Sequence, residues 1–158
     1  MVNQLFFRRH FQVAYVANDA RAAMRRLADD FGVRNWQVAA DRPAESLQEV
    51  IGLAWVGELM LEVIQPRPSR PSLYTDWVPP GSDEVRLHHL AFIADGPADY
   101  AQAVAGLEAM GYPSVYSGSF GARLDFAYID TRAAVGHYYE IFDLKPEGRA
   151  FFDAVPRN

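Results

Sequence analysis

Residues 11–19 read FQVAYVAND and residues 88–95 read HHLAFIAD. Each is a short apolar run that carries one polar side chain near its start, Gln12 or His89, and closes on an aspartate. Two later runs are interrupted in the same manner: Glu62 sits inside LMLEVI and Glu140 inside HYYEIF. Gln12 and His89 are 77 residues apart, Glu62 and Glu140 are 78 apart, and Gly32 and Gly111 are 79 apart. One structural unit is therefore written twice, with a polar side chain at the same two places in each copy.

Working outward, each copy reads strand, helix, then strands. In the first, residues 11–17 form a strand, and Asp19 caps a helix running to about Phe31. Ala23, Leu27 and Phe31 recur every four residues, with Met24 and Ala28 beside them, which is the apolar stripe of an amphipathic helix. Gly32 follows as the residue expected to turn left-handed. Strands are expected at 35–40, 48–56 and 59–65, the last two joined by a tight turn at Gly57. In the second copy a strand at 88–94 leads into a helix opened by Asp95-Gly96-Pro97, striped by Tyr100, Val104 and Leu107 and ended by Gly111. Strands are expected at 113–117, 123–129 and 137–142. The fold class is α+β, a single domain over 1–158, with a first βαβββ module over 10–66 and a second over 87–144.

Residues 67–86 form the connector, in which Pro68, Pro71, Pro79 and Pro80 forbid a regular helix or a central strand. Leu73, Tyr74, Trp77 and Val78 predict that the connector packs its aromatics onto the body rather than hanging free. Residues 145–158 form a tail with one helical stretch after Pro146, and Phe151 and Phe152 predict that it docks on the body or on a second subunit.

The composition narrows the function classes. A chain of 158 residues with half of them hydrophobic buries a substantial core. Its net charge of −5 opposes a nucleic-acid partner, which needs a basic face. No apolar run approaches the length of a membrane span. The N-terminal MVNQLFFRRHF lacks the apolar core of a secretory signal. The absence of cysteine excludes disulfides, a thiol nucleophile and a thiolate metal site. These features together predict a cytoplasmic protein.

Side chains alternate along a strand. Gln12 shares a face with Ala14 and Val16, Glu62 with Met60 and Ile64, His89 with Ala91 and Ile93, and Glu140 with Tyr138 and Phe142. A carboxylate in so apolar a setting is costly unless it is paired or bound to a cation. No lysine or arginine lies in these strand runs. A divalent cation would supply the missing charge; an arginine arriving from elsewhere, or protonation of one carboxylate, are the alternatives. A duplicated fold with one side-chain ligand per strand predicts a single metal site of Gln12, Glu62, His89 and Glu140. Three oxygen donors and one imidazole suit zinc, nickel, cobalt, manganese or magnesium.

These residues carry a family resemblance across about residues 10–144. LEVIQP, a proline-rich connector, LHHLAFIAD and YYEIFD together resemble the vicinal oxygen chelate superfamily, which includes glyoxalase I, methylmalonyl-CoA epimerase, extradiol dioxygenases and the bleomycin-resistance proteins. The resemblance implies two tandem βαβββ modules forming a U-shaped cleft around one divalent metal. Its first ligand falls on Gln12, by the spacing to Asp19 and Gly32, and not on His10. The others fall on Glu62, His89 and Glu140. This set is similar to that of the zinc-type glyoxalase I enzymes. It implies proton abstraction next to a carbonyl, an enediolate stabilised by the metal, and a glutamate as base: Glu140 first, Glu62 second. The chain departs from glyoxalase I where that family carries a glutathione-binding arginine and asparagine, which fall here on Val16 and Pro66. For a coenzyme A phosphate no site is identified, and Arg67 and Arg70 are weak candidates. The resemblance also implies a homodimer.

Simpler structural roles compete with these. His88 should face away from the cleft, toward the helix, and His137 should also face away from it, both as ordinary core or edge histidines; His10 is a candidate for the mouth of the cleft. Trp55, Phe126, Tyr128, Tyr138 and Phe142 read as core and pocket lining, so the expected partner is an apolar or aromatic small molecule. The competing class is a metal-free small-molecule binding protein of the same fold.

Overall fold

In the computed structural model, which describes residues 9–158, the Asp19 carboxylate accepts a hydrogen bond from the Ala22 amide at 2.9 Å and starts helix α1, Ala20–Phe31. The reading of residues 1–8 as free of a leader segment lies outside the described residues. Gly32 ends α1 in the left-handed region at φ 76°, and its amide donates to the Ala28 carbonyl, which leaves an open last turn satisfied. Before α1 runs β1, His10–Ala17; after it come β2, Gln37–Ala39, β3, Gln48–Val56, and β4, Leu59–Pro66. The expected strand over 35–40 is thus only three residues long.

The second half repeats the order with β5, Val85–Ile93, and α2, Pro97–Ala109, in which proline occupies the first turn, where its missing amide costs nothing. Then follow β6, Ser114–Ser119, and β7, Leu124–Ile129. A short helix that the periodicity does not announce, α3, Arg132–Val135, precedes β8, Tyr138–Leu144. Helix α4, Pro146–Asp153, is the helical stretch expected in the tail. The fold is α+β, built as β-α-β-β-β twice over, with α3 inserted before the last strand. No helix among the described residues is long and apolar enough to cross a membrane.

The chain divides into two compact units, and the division falls inside β1, between Gln12 and Val13, and inside β5, between His88 and His89. In the unit of residues 13–88 and 155–158, the strand order is β2-β3-β4-β1. Strands β3 and β4 form a hairpin whose register pairs Val56 with Leu59 across Gly57-Glu58. Helix α1 covers one face, packing Ala20, Ala23 and Met24 on Ala17, Val50 and Val63. The connector is docked, as its aromatics predict: Tyr74 and Val78 are buried, and the Tyr74 hydroxyl accepts from Gln48 Nε2 at 3.0 Å.

In the unit that holds the described residues 9–12 and residues 89–154, the strand order is β5-β8-β7-β6. Strands β5 and β8 run parallel, with His89 beside Tyr138 and Ala91 beside Glu140. Strand β7 runs antiparallel to β8 and sets Tyr128 opposite Glu140. Helix α2 packs Leu107 against Ala94, Ala127, Ile129 and Ile141 on one face. Burying isoleucines such as Ile129 and Ile141 contributes roughly 1.5–3 kcal/mol each. On the other face, Phe152 of α4 packs on Phe142 and on Phe11, so the tail is docked on the body.

Gly148 is where α4 approaches the chain most closely: a Cβ there would collide with the Arg123 carbonyl oxygen and stand 2.7 Å from Leu144 Cδ1. Gly148→Ala is therefore expected to destabilise by about 1–3 kcal/mol, read as a lowered midpoint in chemical denaturation. Ala150→Gly, at an exposed position of the same helix, should cost no more than about 1 kcal/mol.

Candidate functional site

Glu140 lies in β8 between Tyr138 and Phe142 and is 4 % exposed; His89 in β5 is fully buried at 0 %. The parallel register places Glu140 beside Ala91, two residue pairs along from His89 and so on the same face. Because Ala91 presents only a methyl group, the carboxylate reaches diagonally across it, and Glu140 Oε2 lies 3.0 Å from His89 Nε2. Gln12 is buried in the same unit, and Phe11 beside it packs its ring 5.6 Å from that of Phe142. Glu62 stands in the other unit, half-buried in β4 opposite Leu53 and flanked by the fully buried Met60 and Ile64. The structure thus brings His89 and Glu140 into direct contact and buries Gln12 in their unit.

Whether a divalent cation suits these residues is decided by donor chemistry and spacing. Among the described residues, no three His, Cys, Asp or Glu side chains form a group that could hold a metal ion. Two donors at right angles, each about 2.1 Å from one cation, stand about 3 Å apart. His89 Nε2 and Glu140 Oε2, at 3.0 Å, have that separation. An imidazole nitrogen, a carboxylate and the neutral amide oxygen of Gln12 are donors that a borderline divalent cation accepts. The pair therefore fits a cation as two adjacent ligands. It equally makes an ion pair when the imidazole is protonated.

The other histidines have structural partners. His88 is fully buried, with Nε2 3.1 Å from the Leu73 carbonyl and its ring against Tyr74 and Trp77. It is a satisfied core histidine, as expected, but the connector rather than a helix covers it. His137 Nδ1 lies 3.0 Å from the Tyr138 carbonyl. His10 turns its Nε2 to the Gln12 carbonyl at 2.9 Å and its ring to Phe92.

Two features around the pair were not foreseen. The Tyr128 ring stands edge-on to the His89 imidazole, 5.0 Å between centroids and 84° between planes. Its position opposite Glu140 could have been found only from strand register. The second is the turn that delivers β8. Thr131 Oγ1 donates to the His137 carbonyl at 2.6 Å, and Arg132 grips Asp130 through two hydrogen bonds while its guanidinium lies 4.8 Å over the Tyr138 ring. The hydrogen bonds from Arg132 hold the Asp130 carboxyl below the usual carboxylate range. Burial pushes the Tyr138 phenol up. Arg67, one of the two candidates for a phosphate, spends its guanidinium on the carbonyls of Ser46, Arg42 and Pro43.

Residues 11–128 match the family described as the Glyoxalase/Bleomycin resistance protein/Dioxygenase superfamily. No curated protein matches in sequence. Among solved structures, the chain is similar to methylmalonyl-CoA epimerase from Mycobacterium tuberculosis, at 17% identity and a TM-score of 0.66 over 95% of this chain and 97% of that one. It is also similar to a variant of the Streptomyces coelicolor methylmalonyl-CoA epimerase in complex with 2-nitronate-propionyl-CoA, at 15% identity and a TM-score of 0.61 over 85% and 95%. At such identities the likeness is one of fold.

The lowered Asp130 carboxyl sets a sign for acid stability. A carboxyl whose folded-state value is depressed stabilises the fold above its unfolded-state value, and that contribution is lost as pH falls through the folded-state value. Arg132→Ala should therefore lower the thermal midpoint at neutral pH, and the gap to the parent should close as the pH becomes strongly acid. Thermal unfolding across that range measures it.

Proposed function

The chain belongs to the Glyoxalase/Bleomycin resistance protein/Dioxygenase superfamily, and from that premise we propose that it is a metal-dependent lyase or isomerase of the glyoxalase type. Its reaction is removal of a proton from the carbon next to a carbonyl of a small-molecule substrate. The observation that carries this reading is the buried contact between His89 Nε2 and Glu140 Oε2 at 3.0 Å. A carboxylate held out of water beside an imidazole is a group able to take and return a proton without exchanging it freely with solvent.

In this reading Gln12, Glu62, His89 and Glu140 would hold the metal, one of zinc, nickel, cobalt, manganese or magnesium. Bound there, the cation would act as a Lewis acid on the charge that develops at the substrate carbonyl oxygen. Glu140 is the base: its carboxylate takes the proton from the substrate carbon and delivers it to the same or the neighbouring carbon. Glu62 is the second candidate for that role. His89 keeps the Glu140 carboxylate turned toward the site. Tyr138 and Phe142, on either side of Glu140, give the site apolar walls that exclude water and favour an apolar or aromatic substrate. The S. coelicolor epimerase, described with a propionyl-CoA derivative bound, makes acyl-CoA thioesters the first substrates to screen, beside 2-oxoaldehyde adducts. A cytoplasmic homodimer belongs to the same proposal.

The direct His89–Glu140 contact also favours a second reading, in which the two side chains compensate each other and the protein binds a small molecule without metal. Metal content separates the two. Protein purified without chelators should hold about one divalent ion per chain; metal-free protein that still binds an apolar molecule supports the second reading.

Glu140→Gln should slow exchange of the substrate α-proton with solvent deuterium by about 10²–10⁴-fold while leaving the fold intact, as followed by proton NMR and circular dichroism. Unimpaired exchange removes Glu140 from the role of base.

A further inference from the structure

We propose that Tyr128 is the positioning residue of the His89 imidazole: its ring holds the imidazole so that Nε2 faces Glu140. The inference rests on the reading of His89 and Glu140 as the working pair. Tyr128 lies in β7 directly opposite Glu140, so its side chain emerges on the same face of the sheet. From there its ring meets the imidazole edge-on, at 84° and 5.0 Å between centroids. Perpendicular packing of this kind is a favoured geometry for two aromatic rings and resists rotation of either one.

The Tyr128 ring is itself held in place on several sides. Tyr116, its cross-strand partner on β6, stacks on it with 6.0 Å between centroids and 28° between planes, and Phe126 meets it at 81°. Tyr138 stands edge-on at 86° and is covered in turn by the Arg132 guanidinium. A buried imidazole beside one carboxylate has two ring nitrogens and two faces to choose from. Glu140 Oε2 lies 3.0 Å from Nε2, and a ring wall perpendicular to the imidazole opposes the rotation that would trade Nε2 for carbon. The contact with His89 is one of ring on ring, so the proposal assigns the constraint to the Tyr128 ring, which separates this role from a catalytic one.

The experiment uses the full chain and Zn²⁺ alone as the probe, with affinity read by titration calorimetry on metal-stripped protein and His89 geometry read from crystal structures. Tyr128→Phe keeps the ring and should bind Zn²⁺ as the parent does, with Nε2 still against Glu140. Tyr128→Leu should bind about tenfold more weakly, with the imidazole rotated away from Glu140. Circular dichroism identifies a variant that fails to fold; Tyr128→Met then replaces Leu with the same expectation. Leu-variant affinity equal to the parent's, with the His89–Glu140 contact retained, overturns the proposal. A Phe variant as weak as the Leu variant overturns it too, by moving the role to the hydroxyl. If the parent binds no Zn²⁺, the metal reading falls, and the crystal structures alone decide: a rotated imidazole in the Leu variant supports the proposal and an unmoved one ends it.

Discussion

A carboxylate buried among aromatic rings is the constraint around which the unit of β5 to β8 is arranged. Glu140 sits between Tyr138 and Phe142 with almost no access to water. Stripping a carboxylate of water in this way is costly unless another polar group takes the place of the solvent. Here that group is the His89 imidazole, and the backbone makes the meeting possible. Parallel pairing of β5 and β8 puts Ala91 beside Glu140 and His89 two pairs away on the same face. A larger residue than alanine at position 91 would block the diagonal reach between the two side chains. Tyr128 closes the third side, because β7 is registered to place it opposite Glu140.

The same strands build the opposite face. Residues one step out of phase with the site, Tyr139, Ile141, Ala127 and Ile129, pack under helix α2 with Leu107. A one-residue slip of β8 would exchange the two sets, sending the carboxylate into the core and Ile141 into the site. Core and site therefore enforce each other's register. The turn before β8 adds a further lock, through Thr131 on the His137 carbonyl and Arg132 between Asp130 and Tyr138.

Much of this was legible in the chain. Asp19 as a helix cap and Gly32 as a left-handed stop are local devices, whose physics involves only neighbouring residues, and both stand where the spacing put them. The double β-α-β-β-β order follows from periodicities of two and about four, which are equally local. Strand β2 was read too long, because residues 35–40 carry strand-like side chains but only Gln37–Ala39 find a partner in β3. Helix α3 escaped notice because four residues are too few to show a helical period. For His88, the sequence predicted a satisfied core or edge side chain facing the helix, whereas the connector covers it. The rings of Tyr74 and Trp77 come from the connector, more than ten residues upstream, and no local pattern links them to it.

The sequence by itself determined which residues are polar where strands should be apolar, that they recur in two copies, and that the chain belongs to the α+β class. Those properties depend on residue identity and spacing, which hydrophobic periodicity exposes directly. Only the tertiary structure decided that His89 and Glu140 touch, that Gln12 is buried in their unit, that Tyr128 stands edge-on to the imidazole, and that Arg67 spends its charge on backbone carbonyls. Each of these depends on strand register and pairing direction, which are set by the packing of many residues at once, far apart along the chain.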